Sequence, residues 1–401
     1  MKLRTDYTIS LMALLVLLFY SLCIPPSQYI PVGIVITVFI CMSKKVSKVD
    51  STAFTVALFS ASYFVLESFM KYSTINRLLF GFTIICLYVL GFNWFRIINK
   101  IDEDAYEIEK TLSKALTVIY YGFAFYLISS FIFTVISGKV INSFSRDFYV
   151  IWNGNYGNPT HYETISCLPL GYGVYHLIEN KGRKSRLLDI LILTFIIVAN
   201  AMMSNRATFV CVLLFIGVSV LVNNVGKSFS RSTRVTLEVV ALLLILYLIW
   251  TNNVFGVQEL ARNVPVIQRI NQLNLHGYED PRIDRQIYII THFFDHTTGG
   301  GYFNNLIGEC HNVWLDVYDY AGFIPFVLFG ILTIDVVFCL FKLLRSNKCK
   351  EIVITIASIF VAFSFEPVIR SVPNLFILYF LIIGMTRYLS RCMYRKERNS
   401  V

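Results

Sequence analysis

Charge is what this chain of 401 residues has least of: Asp, Glu, Lys and Arg make up 15% of it, against about 25% in ordinary soluble domains. A surface so thinly charged would leave a folded protein of this length poorly soluble. No Cys-x-x-Cys pair is present, so the thiol pattern of a metal or redox centre is missing. Several of the nine cysteines, Cys86, Cys211 and Cys339 among them, sit inside apolar runs, where a thiol fills space as a small hydrophobe. Internal repeats, low-complexity tracts and nucleotide-binding motifs are also missing. These gaps exclude a soluble enzyme, a disulfide-stapled secreted scaffold and a disordered chain. Hydrophobic residues are abundant at 56%, the mean hydropathy is +0.62, and apolar stretches such as Val239 to Trp250 run unbroken. The expectation is an all-α, polytopic integral membrane protein.

A spanning helix needs about 20 mostly apolar residues. Twelve stretches qualify, near 8–24, 28–42, 53–70, 77–95, 115–137, 163–179, 187–204, 207–223, 235–251, 321–341, 350–365 and 373–388. The first follows Lys2 and Arg4 as a signal peptide would, but no small-x-small cleavage site comes after it, so it reads as an uncleaved first span. Short cytoplasmic loops accumulate Lys and Arg. With the N-terminus inside, segments 1–7, 42–50, 96–114, 180–186, 223–234, 342–350 and 387–401 hold twenty-five of the 35 basic residues. The other ten fall outside. Twelve spans with both termini in the cytoplasm satisfy the rule at every inside segment. The formal charge of +10 is thus a topology signal spread over seven segments. It forms no continuous basic face, which argues against nucleic-acid binding.

Two outside segments, 138–162 and 252–320, exceed the length of ordinary connections, and the chain otherwise reads as one membrane domain, 1–401. The longer segment is rich in apolar residues such as Val264, Ile287 and Phe293, which points to short helices lying on the membrane or dipping into it. Its end holds the densest polar cluster, Glu309-Cys310-His311-Asn312-Val313-Trp314-Leu315-Asp316, followed by Tyr320-Ala321-Gly322. Upstream lie Arg282, Asp284 and Arg285, then Gly299-Gly300-Gly301. Two further outside features are Ser204-Asn205-Arg206-Ala207-Thr208, between the seventh and eighth spans, and Arg370 between Glu366 and Pro373.

An arginine between two spans is costly unless it meets an anion or reaches the headgroups. Outside arginines outnumber lysines eight to two, and the guanidinium fork suits phosphate or carboxylate. A lipid pyrophosphate at the outer surface fits that pattern. Backbone N–H groups of Gly299–Gly301 could approach the same anion, although such a run also reads as a flexible loop. His311 is the candidate general base, since an imidazole ordinarily changes charge near neutral pH. An acceptor hydroxyl attacking a sugar carbon must lose a proton, and arginines stabilise the charge that gathers on a departing pyrophosphate. Such chemistry needs neither metal nor nucleotide. His292 and His296 have the spacing of two metal ligands on a helix, with Asp295 as a weak third; a wet interfacial face is the plainer reading. Glu67 and Asp335 fall within spans, where either packs against another polar side chain or relays protons.

On these residues the chain resembles the O-antigen polymerase and O-antigen ligase superfamily of bacterial polysaccharide assembly. The resemblance is carried by Arg206 in Ser-Asn-Arg-Ala-Thr, by Arg285 ahead of the glycine-rich stretch, and by the block from His311-Asn312 through Asp316 to Gly322. At residue level it covers about 200–325. It implies a GT-C-like fold and a metal-independent glycosyltransferase without cofactors, working on the periplasmic face of the bacterial inner membrane. The donor would be an oligosaccharide on undecaprenyl pyrophosphate, with membrane lipid around it and a chain-length regulator and a flippase as partners. By carry-over His311 is the base, with Arg206 and Arg285 holding the pyrophosphate and Arg282 a rival for the second arginine. Asn312, Asp316, Arg370 and Gly300 complete the candidate substrate contacts. Leu315-Asp316 with Tyr318 and Tyr320 favours a polymerase over a ligase. A transporter or flippase is the reading from a different class, since twelve spans suit it, but the two halves lack the internal symmetry many transporters show.

Overall fold

A computed structural model describes residues 2–25, most of 33–40, and 49–70, 74–98, 105–138, 147–179, 183–225, 267 and 281–399. The described chain is helical apart from one short antiparallel pair, β1 (Phe148–Tyr149) and β2 (Tyr156–Gly157). The long helices are α1 (Lys2–Ser21), α2 (Ser51–Met70), α3 (Thr74–Ile98), α4 (Ala105–Ile136), α5 (Pro159–Glu179), α6 (Arg183–Met202) and α7 (Ala207–Asn224). Then come α8 (Pro281–Thr291), α9 (Tyr302–Ile307), α10 (Val313–Ala321), α11 (Phe323–Arg345), α12 (Lys350–Phe365), α13 (Val368–Ser371) and α14 (Pro373–Asn399). Among the described residues, five helices are long and apolar enough to cross a membrane: Arg77–Ile98, Tyr106–Ile136, Ala207–Asn224, Phe323–Arg345 and Pro373–Cys392. This is an all-α protein of membrane-spanning character.

Each expected span that lies within the described residues coincides with a helix. The expected span 235–251 lies outside them, as do most of 28–42 and the start of the long segment up to residue 280. The part of that segment that is described folds as short helices, α8 to α10, as its apolar content suggested.

The described chain groups into two compact units, Met1–Phe123 with Asp280–Val401, and Ala124–Glu279. In the first unit α14 is the central helix. From Leu375 to Ile383 its residues are buried all round, as a helix apolar on every face must be. It packs most closely on α3, where Gly91 and Gly384 remove the side chains that would hold the backbones apart. A Cβ on Gly384 would stand 2.6 Å from Phe92 N and closer still to Tyr88 O. By contrast α11 turns Ile324, Ile331, Ile334, Phe338 and Phe341 outward, a surface that lipid covers without cost.

One end of this unit is tied by a buried carboxylate. Asp50 caps α2, its Oδ1 accepting from Ala53 N (3.1 Å) and from Tyr88 Oη (2.8 Å). Its Oδ2 pairs with Arg387 at 3.3 Å and Arg391 at 3.0 Å. Arg387 also meets Asp335 Oδ1 at 2.6 Å. Asp335 therefore packs against a polar partner, and Arg387 and Arg391 form structural ion pairs.

In the second unit α5 packs on α6 and α7. Two asparagines stitch the helix ends together. Asn200 Nδ2 donates to Ser166 Oγ (3.1 Å) and Ile196 O (2.9 Å), and Asn205 Nδ2 donates to Asn200 Oδ1 (2.9 Å) and Pro159 O (3.0 Å).

Candidate functional site

The segment from α8 to α11 builds its own small core. Ile289, Phe303, Cys310, Leu315 and Tyr318 are buried together, and Phe293 stacks on Tyr318 with ring centroids 4.0 Å apart. Pro281 opens α8, where a missing N–H costs nothing. Asp319 of α10 caps α9 in place of a side chain at Gly301: its carboxylate accepts from Phe303 N (2.7 Å) and Asn304 N (3.0 Å).

The glycine run docks against the end of α10. Gly299, Gly300 and Gly301 all take left-handed backbone, with φ of 83°, 86° and 71°, and a Cβ on Gly299 would press to 2.7 Å from Ala321 C and Gly322 N. The N–H of Gly300 donates to Tyr320 O (3.0 Å) and that of Gly301 to Asp319 O (2.8 Å). This corrects the expectation for Gly300. These N–H groups are already used, so the run is a backbone clasp and offers no anion nest there.

His311 sits at the head of α10. Asn312 is the N-cap, its Oδ1 accepting from Leu315 N at 3.3 Å. This places Asn312 as the element that starts the helix behind the histidine. His311 itself is held at φ 56°, a region that few non-glycine residues adopt and that clusters at functional positions. Its side chain is 17% exposed, and its Nδ1 lies 3.4 Å from Glu366 Oε2, out of line for a hydrogen bond.

Glu366, buried between α12 and α13, has Arg282 on its other oxygen. Arg282 Nη2 is 3.4 Å from Oε1, and Nη1 donates to Phe365 O at 3.3 Å. One carboxylate thus joins His311 to Arg282. Arg285, a turn further along α8, donates to Glu309 O at 3.1 Å, and its guanidinium lies against Gly308. Of the two rivals, Arg282 shares a partner with the histidine, and Arg285 props the chain two residues ahead of it. Arg370 lies over the Tyr320 ring, 3.3 Å from its centroid, and 3.6 Å from Glu67 Oε1. Arg77 pairs with the same Glu67, so this carboxylate also packs against polar partners.

Asp316, a candidate substrate contact, is buried. It is 4% exposed and accepts from Cys310 Sγ at 3.1 Å, beneath the histidine. Burial pushes its carboxyl up to about 8 from an ordinary 3.8. The sign follows from linkage. Between pH 4 and 8 the native state keeps a proton that the unfolded chain releases, so this group lowers stability steadily as pH rises across that window. Asp316→Asn mimics the protonated form and is expected to remove the slope. Unfolding midpoints in detergent at pH 5.5 and 8.5 check it: the fall seen in the parent should shrink in the variant, and an equal fall in both would refute it.

Arg206 belongs to the other unit. It stands at the N-terminal boundary of α7 with φ −85° and ψ −37°, half-buried. Its neighbours serve the scaffold. Asn205 is buried in the asparagine stitch, and Thr208 donates from N and Oγ1 to Glu163 Oε1 at 2.6 Å and 3.1 Å. The two histidines at ligand spacing lie against carbonyls: His292 Nδ1 is 2.9 Å from Tyr288 O and His296 Nε2 2.9 Å from Gly299 O. Among the described residues no group of three metal-binding side chains occurs.

Glu366 is the residue that sequence reasoning passed over except as a neighbour of Arg370. A lone acid closing an apolar helix, in Ser364-Phe365-Glu366-Pro367, was the available signal. No protein-family model matches this chain, and no curated protein matches it either.

Proposed function

We propose that this protein is a surface-polysaccharide polymerase of the O-antigen type, transferring a glycan from undecaprenyl pyrophosphate to a sugar hydroxyl of another lipid-linked repeat. The observation that carries the reading is the strained His311 at the head of α10, beside a carboxylate it shares with Arg282. The likeness of the His311–Gly322 block to the family supports it. In this reading twelve spans put both termini in the cytoplasm and the site at the periplasmic face of the inner membrane.

The steps balance without metal or nucleotide. His311 takes the proton of the acceptor hydroxyl as its oxygen forms a bond to the anomeric carbon. The bond from that carbon to the pyrophosphate oxygen breaks, and its electron pair leaves with undecaprenyl pyrophosphate. Arg282 and Arg285 meet the growing negative charge.

Deletion of the protein from its bacterium decides between polymerase and ligase. Lipopolysaccharide run on a gel is expected to show cores bearing a single repeat. Bare cores with lipid-linked polymer accumulating would replace the polymerase by the ligase, and bare cores with unpolymerised repeats held at the cytoplasmic face would point to a transporter.

A further inference from the structure

We infer that Glu366 is a positioning residue for His311, fixing the imidazole so that Nδ1 carries the proton and Nε2 is left to receive one. This rests on the reading of His311 as the base. Three observations place Glu366 in that role. First, it is a carboxylate in a buried position, with a side chain 3% exposed, and a charge is kept in such a place only by partners. Second, its two oxygens are divided between different elements. Oε1 faces Arg282 of α8 and Oε2 faces His311 Nδ1, each at 3.4 Å. Third, the backbone fixes it from behind, with Glu366 O accepting from Val368 N at 2.8 Å, so the carboxylate is aimed by a rigid corner.

A carboxylate beside one ring nitrogen selects the tautomer that donates to it, and the other nitrogen then has the lone pair a base requires. The Nδ1 contact is long and out of line here. Hydrogen bonds of this kind commonly tighten when substrate arrives. Arg282 on the opposite oxygen keeps the carboxylate from swinging away, which explains why Arg282 shares the histidine's partner while Arg285 does not. Arg370, the next nearest cation along this stretch of chain, is committed to Tyr320 and Glu67.

The test uses the full chain, purified in detergent, and lipid-linked oligosaccharide extracted from a strain of its own bacterium lacking the protein. Glu366→Gln keeps the shape and removes the charge. It is expected to lower kcat on the order of 10²-fold while KM for the lipid-linked substrate stays within about threefold. In a His311→Ala background the same change should alter the residual rate by less than about twofold, because a residue acting through the histidine has nothing left to act on. A merely structural role would multiply the two losses or raise KM instead, and either result overturns the assignment, as does a Glu366→Gln protein keeping more than half of the parent kcat. Should Glu366→Gln not accumulate as folded protein, Glu366→Asp decides: a kcat loss of about tenfold or more at constant KM supports the assignment, and an unchanged kcat ends it. Chain growth by the parent with full growth by the variant would sink this assignment alone. No chain growth by the parent would remove the polymerase reading and this assignment with it.

Discussion

His311→Asn is expected to abolish long polysaccharide while leaving the protein folded in the membrane. The choice of asparagine follows from the backbone. His311 holds φ 56°, and asparagine tolerates that left-handed region better than alanine does, so the variant tests the imidazole with little added strain. Loss of a positioned base usually costs about 10²–10⁴-fold in rate. A polymerase slowed that far leaves mostly single repeats on the lipopolysaccharide, visible on one gel. The stability cost should be small, since the side chain is partly exposed and its contact with Glu366 is not an aligned hydrogen bond. Arg285→Ala is a less clean test, because it also frees Glu309 O. Membrane fractions probed for protein amount separate lost chemistry from lost protein. Full-length polymer from the His311→Asn strain would sink the base assignment.

The helices were legible because the physics that makes them is local. A run of about 20 apolar residues has few other ways to satisfy its backbone in lipid, and α2, α3, α11 and α14 lie where such runs were read. What each helix faces was not legible. The sequences of α11 and α14 are both strongly apolar, yet α14 is buried and α11 presents Phe338 and Phe341 outward. Burial there is decided by partners far along the chain. The site divides in the same way. His311 and Asn312 stood out because a polar turn heading an amphipathic helix is a local pattern. Glu366 did not, because its value comes from two residues on other elements. The glycine run is ambiguous in sequence for a related reason: three left-handed residues can present N–H groups to an anion or to a neighbouring carbonyl, and only the position of Tyr320 O and Asp319 O shows which.

Gly384→Leu is expected to remove most of the folded protein, and the reason lies in the same non-local packing. At Gly384 any Cβ meets backbone of α3, with Phe92 N at 2.6 Å, so the obstacle cannot rotate aside as a side chain would. Gly91 makes the reciprocal contact on Leu381 O. Between membrane helices, small residues that let backbones approach are a main source of association. Overpacking a tight site costs about 1–3 kcal/mol even where side chains can yield. Here whole helices must part, and α14 carries the ion pairs of Arg387 and Arg391 with Asp50, so separation would also uncover a buried carboxylate. Size-exclusion chromatography of detergent extracts, scored as monodisperse yield, measures the outcome. Gly330→Ala in α11 is the matched control. Nothing lies within 4 Å of a Cβ there, and replacing a helical glycine by alanine usually favours the helix by about 0.5–1 kcal/mol. Its yield should equal or exceed that of the parent. Equal yields from Gly384→Leu and Gly330→Ala would mean that α3 and α14 do not meet through these glycines.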